Sequence, residues 1–240
     1  MRPRRPVLYV VLLLLLTASF SALAVQPAGI VGILARATPR IVWKVETWAP
    51  LVALSFDDGP DPVYTPQVLD ILARHEARAT FFLIGENARR HPELVRRIRA
   101  MGHEVGNHTD TNRSTVLMSM PRFSDSLLKA EAALAMPEGE PKLFRPGGGW
   151  IRPAQLDLAI QRGYTCILGS AQAWDPKRPP AAYIRWAVTK NLAPGAIVVL
   201  HDAGGDRSNT VAALPAILEA GRAKGLRFVT ISDLMGAPRP

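Results

Sequence analysis

The stretch LVALSFDDGP, residues 51–60, is an apolar run that stops abruptly at two carboxylates. Residues 51–56 suit a buried strand, and Asp57, Asp58, Gly59 and Pro60 supply turn chemistry directly after it. In an α/β sheet or barrel, ligands and catalytic groups gather at the carboxyl ends of the strands. Asp57 and Asp58 therefore form either a solvated turn, for which Asp, Gly and Pro are ordinary residues, or part of a site.

The chain beyond this stretch repeats the same grammar. Short apolar runs at 79–84, 103–108, 142–145, 164–169, 195–201 and 227–231 predict further strands. Amphipathic stretches at 65–75, 91–101, 121–135, 153–162, 181–191 and 209–224 predict the helices between them. Seven strands joined by helices, with no break in composition, predict one parallel α/β domain, either an incomplete barrel or a doubly wound sheet. The strand ends then decide about the carboxylates. The first ends at Asp57 and Asp58, the third at Asn107 and His108, and the fourth at Arg145. The fifth runs on to Trp174 and Asp175, and the sixth ends at His201 and Asp202. In a parallel fold these ends share one face, so carboxylates, two histidines and an arginine converge, and the plain-turn reading loses ground.

Taken together, SFDDGP, GHEVGNHT, FRPGGGW, the Trp174–Asp175 segment and VVLHD resemble, in order, the motifs of the polysaccharide deacetylases, also called carbohydrate esterase family 4 or NodB-like domains. The resemblance covers about residues 46–237. It implies a distorted (β/α)7 barrel and a metal-dependent hydrolase that removes N-acetyl groups from an amino-sugar polysaccharide such as peptidoglycan, chitin or another envelope glycan. By this likeness Asp57 is the general base, Asp58 and His108 bind a divalent metal, zinc by preference, Arg145 positions the base and His201 is the general acid. Asp175 orients His201, the Gly148 backbone N–H binds the oxyanion, and Leu200 lies beside His201 at the substrate. The chemistry is coherent: a metal polarises the acetyl carbonyl and its water, a carboxylate takes the water's proton, and a histidine protonates the leaving amine.

The sequence departs from the family pattern in three places. The second motif usually has two histidines four residues apart, but here the second position is Asn112. The third protein ligand is then Asn112 or Asp110, and helical spacing from His108 favours Asn112. A neutral amide oxygen should hold zinc more weakly than imidazole does. Gly148 stands where a tyrosine is common, leaving Trp150 and Trp174 as candidate sugar-stacking surfaces. Gln172 replaces a frequent acid. Two other readings stay open, a non-catalytic carbohydrate-binding relative and a hydrolase of another amide or an O-acetyl ester.

The amino terminus has a different purpose. Arg2, Arg4 and Arg5 precede an apolar run from residue 7, and Ala22, Leu23 and Ala24 have the form of a signal-peptidase site. As a helix, residues 7–25 would be roughly 28 Å long, close to the hydrocarbon thickness of a bilayer. Residues 1–25 are thus expected to be an export signal or a membrane anchor, 26–45 a stem, and 46–237 the catalytic domain, outside the cytoplasm. The net charge of +9 fits this division: residues 1–45 hold six cations and no acid, leaving +3 for the rest. Such a dispersed excess argues against nucleic-acid binding, and any membrane contact is expected only through the amino-terminal segment. The single cysteine, Cys166, allows no intrachain disulfide and reads as a buried core thiol.

Overall fold

The computed structural model describes residues 28–136 and 142–239, so the expected signal or anchor at 1–25 lies outside the described residues. Helix α1 (Ala28–Ala37) and the short strand β1 (Ile41–Val42) come first, followed by β2 (Leu51–Asp57), α2 (Tyr64–Arg74) and β3 (Thr80–Leu83). Helices α3 (Gly85–Arg90) and α4 (Pro92–Ala100) lead to β4 (Glu104–Asn107), α5 (Met120–Ala133), β5 (Lys142–Phe144), α6 (Pro153–Gln161) and β6 (Tyr164–Ile167). The chain closes with β7 (Ala171–Gln172), α7 (Ala181–Thr189), β8 (Ile197–His201), α8 (Ser208–Ala223), β9 (Arg227–Val229) and α9 (Ile231–Met235). No described helix is long and apolar enough to cross a membrane.

All seven expected strands are present, and every strand pairing in the sheet is parallel. The order β1-β6-β5-β4-β3-β2-β8-β7 curls into a distorted barrel with β2 at its centre. Ala53 pairs with both Ile197 of β8 and Val229 of β9. Strand β9 must therefore occupy the edge of β2 that β3 takes over from Ser55 onward.

Alternation along β2 divides the core. Val52, Leu54 and Phe56 face the helix layer, packing with Val68, Leu69, Leu214 and Ile217. Leu51 and Ala53 face the barrel interior with Phe82, Leu143, Ile167, Ile197 and Val229. The period-two rule then sends Ser55 and Asp57 inward as well. The polar end of β2 is thus the polar mouth of an otherwise apolar barrel.

The strand expected over 227–231 stops at Val229 because Thr230 caps α9: its Oγ1 accepts the Asp233 N–H at 3.1 Å. The stretch expected as a stem also takes part in the domain. Ile41 and Val42 pair with Cys166 and Ile167, and Val45 joins the interior cluster. The Val45 N–H donates to the Gly195 carbonyl at 2.9 Å, and Gly195 has φ +80°. A Cβ at Gly195 would collide with the Val45 carbonyl oxygen, whereas at Gly163, φ +81°, it would meet open space.

These two glycines separate backbone preference from collision. Gly163→Ala should lower unfolding stability by about 1–2 kcal/mol, the cost of a left-handed residue with a side chain. Gly195→Ala should cost measurably more in urea denaturation, because the 41–45 segment must also move. Equal losses would show that this segment adds nothing to the fold.

Candidate active site

The centre of the polar mouth is a buried ion pair. Arg145 Nη1 donates to Asp57 Oδ1 at 2.6 Å and to Ser55 Oγ at 2.8 Å, with both charged residues almost fully buried. The guanidinium lies over the Phe82 ring, 4.1 Å from its centroid, and its remaining donors reach the carbonyls of Ile167 and Leu168. Arg145 is thus fixed from strands on both sides, and it holds Asp57 in one orientation.

Asp58 follows in the left-handed region, φ 74°, which a short polar residue tolerates. The Asn87 side-chain amide donates to the Asp58 carbonyl at 2.8 Å and secures this turn. Two consecutive carboxylates can then serve different partners. Asp58 Oδ1 lies 3.5 Å from His108 Nε2. His108 Nδ1 sits 2.8 Å from the Arg145 carbonyl, which can only accept, so Nδ1 carries a hydrogen and Nε2 is the atom facing Asp58. Burial opposes ionisation of both groups. Even so, the neighbouring carboxylates Asp57 and Asp58 raise the His108 pKa, while His108, His201 and Arg207 bring that of Asp58 below its ordinary value.

An imidazole tethered through Nδ1, with Nε2 beside a carboxylate, is a donor set that fits a divalent cation. Among the described residues, no three His, Cys, Asp or Glu side chains group as metal ligands, so a third protein ligand would be of another type. Space exists for one. A Cβ on Gly204 would stand 2.8 Å from Asp58 Oδ2, 3.3 Å from Arg207 Nη2 and 3.4 Å from the Asn112 amide nitrogen, so the absent side chain leaves room that these three side chains border. The helical spacing expected for His108 and Asn112 is not what brings Asn112 there. Residues 108–114 form a bent loop with Thr109 at φ 66°, not a helical turn. Asp110 is directed elsewhere: its Oδ1 lies 2.7 Å from Arg89 Nη1 and under Gly85.

Across the mouth, His201 is the register partner of Asp57 on the adjacent strand. Asp175, fully enclosed, accepts the His201 backbone N–H at 2.8 Å through Oδ2, and its Oδ1 lies 2.9 Å from His201 Nδ1. Burial alone would depress the His201 pKa. Asp175, helped by Asp57 and Asp58, instead raises it to about 9, so the ring is charged near neutrality.

The structure also shows supports that the sequence did not announce. Thr210 Oγ1 donates to Asp175 Oδ2 at 3.0 Å. Arg207, 3% exposed, donates to the carbonyls of Ala203 and Gly204 and shapes the loop after His201. Ser55 tethers Arg145 and donates to the Val198 carbonyl. Asp202 is buried under the DDGP turn, bonded by Thr65 Oγ1 at 2.5 Å, and burial raises its pKa to about 7. It is structural support for the turn, as alternation along β8 would suggest.

The remaining expected residues divide. Gly148, φ 73°, lies in the turn Gly147–Gly149. The Gly147 N–H donates to Thr115 and that of Gly149 to Pro146, leaving the Gly148 N–H unconsumed by either bond. Trp150 and Trp174 are both exposed, at 70% and 43%. Leu200, expected beside the substrate, is instead fully buried with Phe56 in the helix-facing cluster. Alternation along β8 explains this, since the strand that turns His201 inward must turn Leu200 outward.

A family model described as polysaccharide deacetylase matches residues 44–167. A peptidoglycan-N-acetylglucosamine deacetylase of Bacillus cereus is 42% identical over 82% of this chain and 94% of its own length. The crystal structure of the Bc1960 peptidoglycan N-acetylglucosamine deacetylase superposes with a TM-score of 0.78 at 34% identity, covering 83% of this chain and 94% of that one. A family 4 acetyl xylan esterase from Clostridium thermocellum, solved in complex with a cobalt ion, gives a TM-score of 0.70 at 32% identity, covering 78% and 93%. With the family model spanning half the chain and a relative matched along nearly its whole length, this chain belongs to the polysaccharide deacetylase family.

Proposed function

We propose that this protein is a metal-dependent hydrolase that removes N-acetyl groups from an amino-sugar polymer of the cell envelope, and that the polymer is peptidoglycan. The observation that carries the reading is the pairing of Asp57, fixed by Arg145, with His201, charged by Asp175, on adjacent strands. Neighbouring parallel strands lie roughly 4.8 Å apart. A base and an acid so spaced can act on the two sides of one amide. The relatives that act on peptidoglycan supply the polymer.

In this mechanism Asp57 takes a proton from the attacking water, and Arg145 keeps the carboxylate aimed while it does so. The Gly148 N–H receives the developing oxyanion. Charged His201 delivers its proton to the leaving nitrogen, and Asp175 holds the imidazolium by its other nitrogen. Asp58 and His108 would hold a divalent cation, with Asn112 as the third protein ligand. When bound, that ion would polarise the acetyl carbonyl and the water. Trp150 and Trp174 offer apolar faces to sugar rings. Residues 1–25 would carry the domain out of the cytoplasm, as a cleaved signal or an anchor. A non-catalytic glycan-binding role is the second reading, favoured by the amide at Asn112 in place of an imidazole.

Acetate release from peptidoglycan should stop on chelation and in Asp58→Ala. Activity that survives both would exclude the metal mechanism, and glycan binding without acetate release by the wild type would favour the second reading. Asn112→His should tighten the binding of zinc measured by calorimetry; unchanged affinity would place the third ligand elsewhere.

A pH prediction follows from His201, which must be protonated to act. Because its folded pKa is raised to about 9, kcat/KM should hold through neutral pH and fall as pH rises through about 9. Asp175→Asn removes the main charge that raises it, so the alkaline limb should move to lower pH. The rate should also drop, within the roughly 10²- to 10⁴-fold worth of an acid step. An alkaline limb unmoved by this substitution would assign the acid to another group.

A further inference from the structure

Beside the loop that carries His108 lies a second feature that the mechanism does not use. A cavity of about 520 Å³ opens between residues 110–118 and the first turns of α5. Its wall includes Asp110, Thr111 and Arg113 from the loop, Leu117 at the next turn, and Arg122 and Lys129 from α5. It adjoins the catalytic face at its Arg113 end, and its Asp110 end follows His108 along the same loop. Asp110 is two residues from His108, and the Arg113 carbonyl packs so closely on Gly147, at the start of the glycine turn, that a Cβ there would collide with it.

Two of the five charged residues of the wall are opposite in sign to the others, and both are already paired. Asp125 binds Lys129 at 2.8 Å, and Asp110 meets Arg89 at 2.7 Å. Arg113 and Arg122, both exposed, form no ion pair with a carboxylate among the described residues. The cavity therefore presents two uncompensated guanidinium groups next to the catalytic face. A guanidinium matches a carboxylate in shape and charge, and can bind it through two parallel hydrogen bonds. A chain of N-acetylglucosamine alone carries no carboxylate. A peptidoglycan strand does, on the peptides attached to every second sugar.

We propose that this cavity receives the carboxylate-bearing peptide branch of a peptidoglycan strand while the neighbouring N-acetylglucosamine lies between Asp57 and His201. Arg113 and Arg122 then set a preference for peptide-bearing strands over bare amino-sugar chains. The inference rests on the peptidoglycan reading above and adds a discriminating site to it.

The test uses the full chain and three substrates: peptide-bearing peptidoglycan fragments, the same fragments with the peptides removed, and chitooligosaccharides. The double variant Arg113→Gln with Arg122→Gln should raise KM on the order of tenfold for the peptide-bearing fragments, the sum of two exposed charged contacts. Its kcat on all three, and its KM on chitooligosaccharides, should match wild type, while on the stripped fragments, which keep a lactyl carboxylate on every second sugar, KM should rise less than on the peptide-bearing ones. The Arg113→Lys with Arg122→Lys variant should recover part of the loss, and added salt should erode the wild-type preference. Equal KM changes on all substrates, or none, would overturn the proposal. Titration calorimetry with the same fragments reads the preference without turnover. A wild type that releases no acetate but binds peptide-bearing fragments more tightly than bare ones, through the two arginines, would remove the enzymatic reading and keep this one. Equal binding of both would remove this one.

Discussion

Everything at the mouth of this barrel depends on one buried ion pair, Arg145 with Asp57. Taking both charges out of water is costly, and a single salt bridge at 2.6 Å does not by itself offset that cost. The surroundings make up the difference. Arg145 also donates to Ser55 and to the Ile167 and Leu168 carbonyls, and it stacks on Phe82, so its donors are directed and its face is covered. Strands β2, β5 and β6 are joined through that one side chain, and Ser55 extends the link to β8 through the Val198 carbonyl. The Arg145 backbone takes part as well, since its carbonyl fixes the tautomer of His108. One residue therefore orients Asp57 through its side chain and the His108 imidazole through its main chain.

Strand alternation is what makes such economy possible. The same pleat that sends Phe56 and Leu200 into the helix layer turns Asp57 and His201 toward each other inside the mouth. A register slip of one residue in either strand would bury the ionisable group among Leu54, Val68 and Leu69, and expose an apolar one to the site. The fully buried pattern of β2 and the fixed pairing of Ala53 with both β8 and β9 hold that register.

The legible part of this molecule was what repeats or what stops. Seven apolar runs announced seven strands, and polar residues at their ends announced the mouth, because burial and strand direction leave the same mark each time. Less was legible where a role depends on a single contact. Thr210 sits inside an ordinary amphipathic helix, and nothing in its neighbours marks the hydroxyl that supports Asp175. Arg207 reads as a surface cation in a glycine-rich loop, yet it folds back onto that loop's carbonyls and is buried. Strands β1 and β7 are two residues each, too short for any periodicity to register. Helical spacing does not describe the segment from His108 to Asn112, because the left-handed Thr109 opens it into a loop, and Asn112 meets the neighbourhood of Asp58 only beside Gly204.

That approach has to be judged against the charge of the whole mouth. Asp57 is engaged by Arg145, and Asp175 by His201. Asp58 is then the one carboxylate of the three whose nearest partner is His108, at 3.5 Å, with His201 and Arg207 acting on it from further off. With His108 neutral as a ligand, Asp57, Asp58 and Asp175 balance Arg145, Arg207 and charged His201, and Asp202 beneath the turn, its pKa raised to about 7, adds a part charge near neutrality, so a divalent ion on the proposed reading would enter a site of small net charge. Its hold rests on one ionised oxygen ligand, one imidazole and the electron-donating strength of whatever stands at Asn112. An amide and an imidazole carry the same charge, none, so exchanging one for the other changes ligand strength without changing that balance. On the proposed reading the affinity for the ion would then be a property of how Asp57 and Asp175 are occupied, and Asn112 would be the position where it could be adjusted without disturbing either pair.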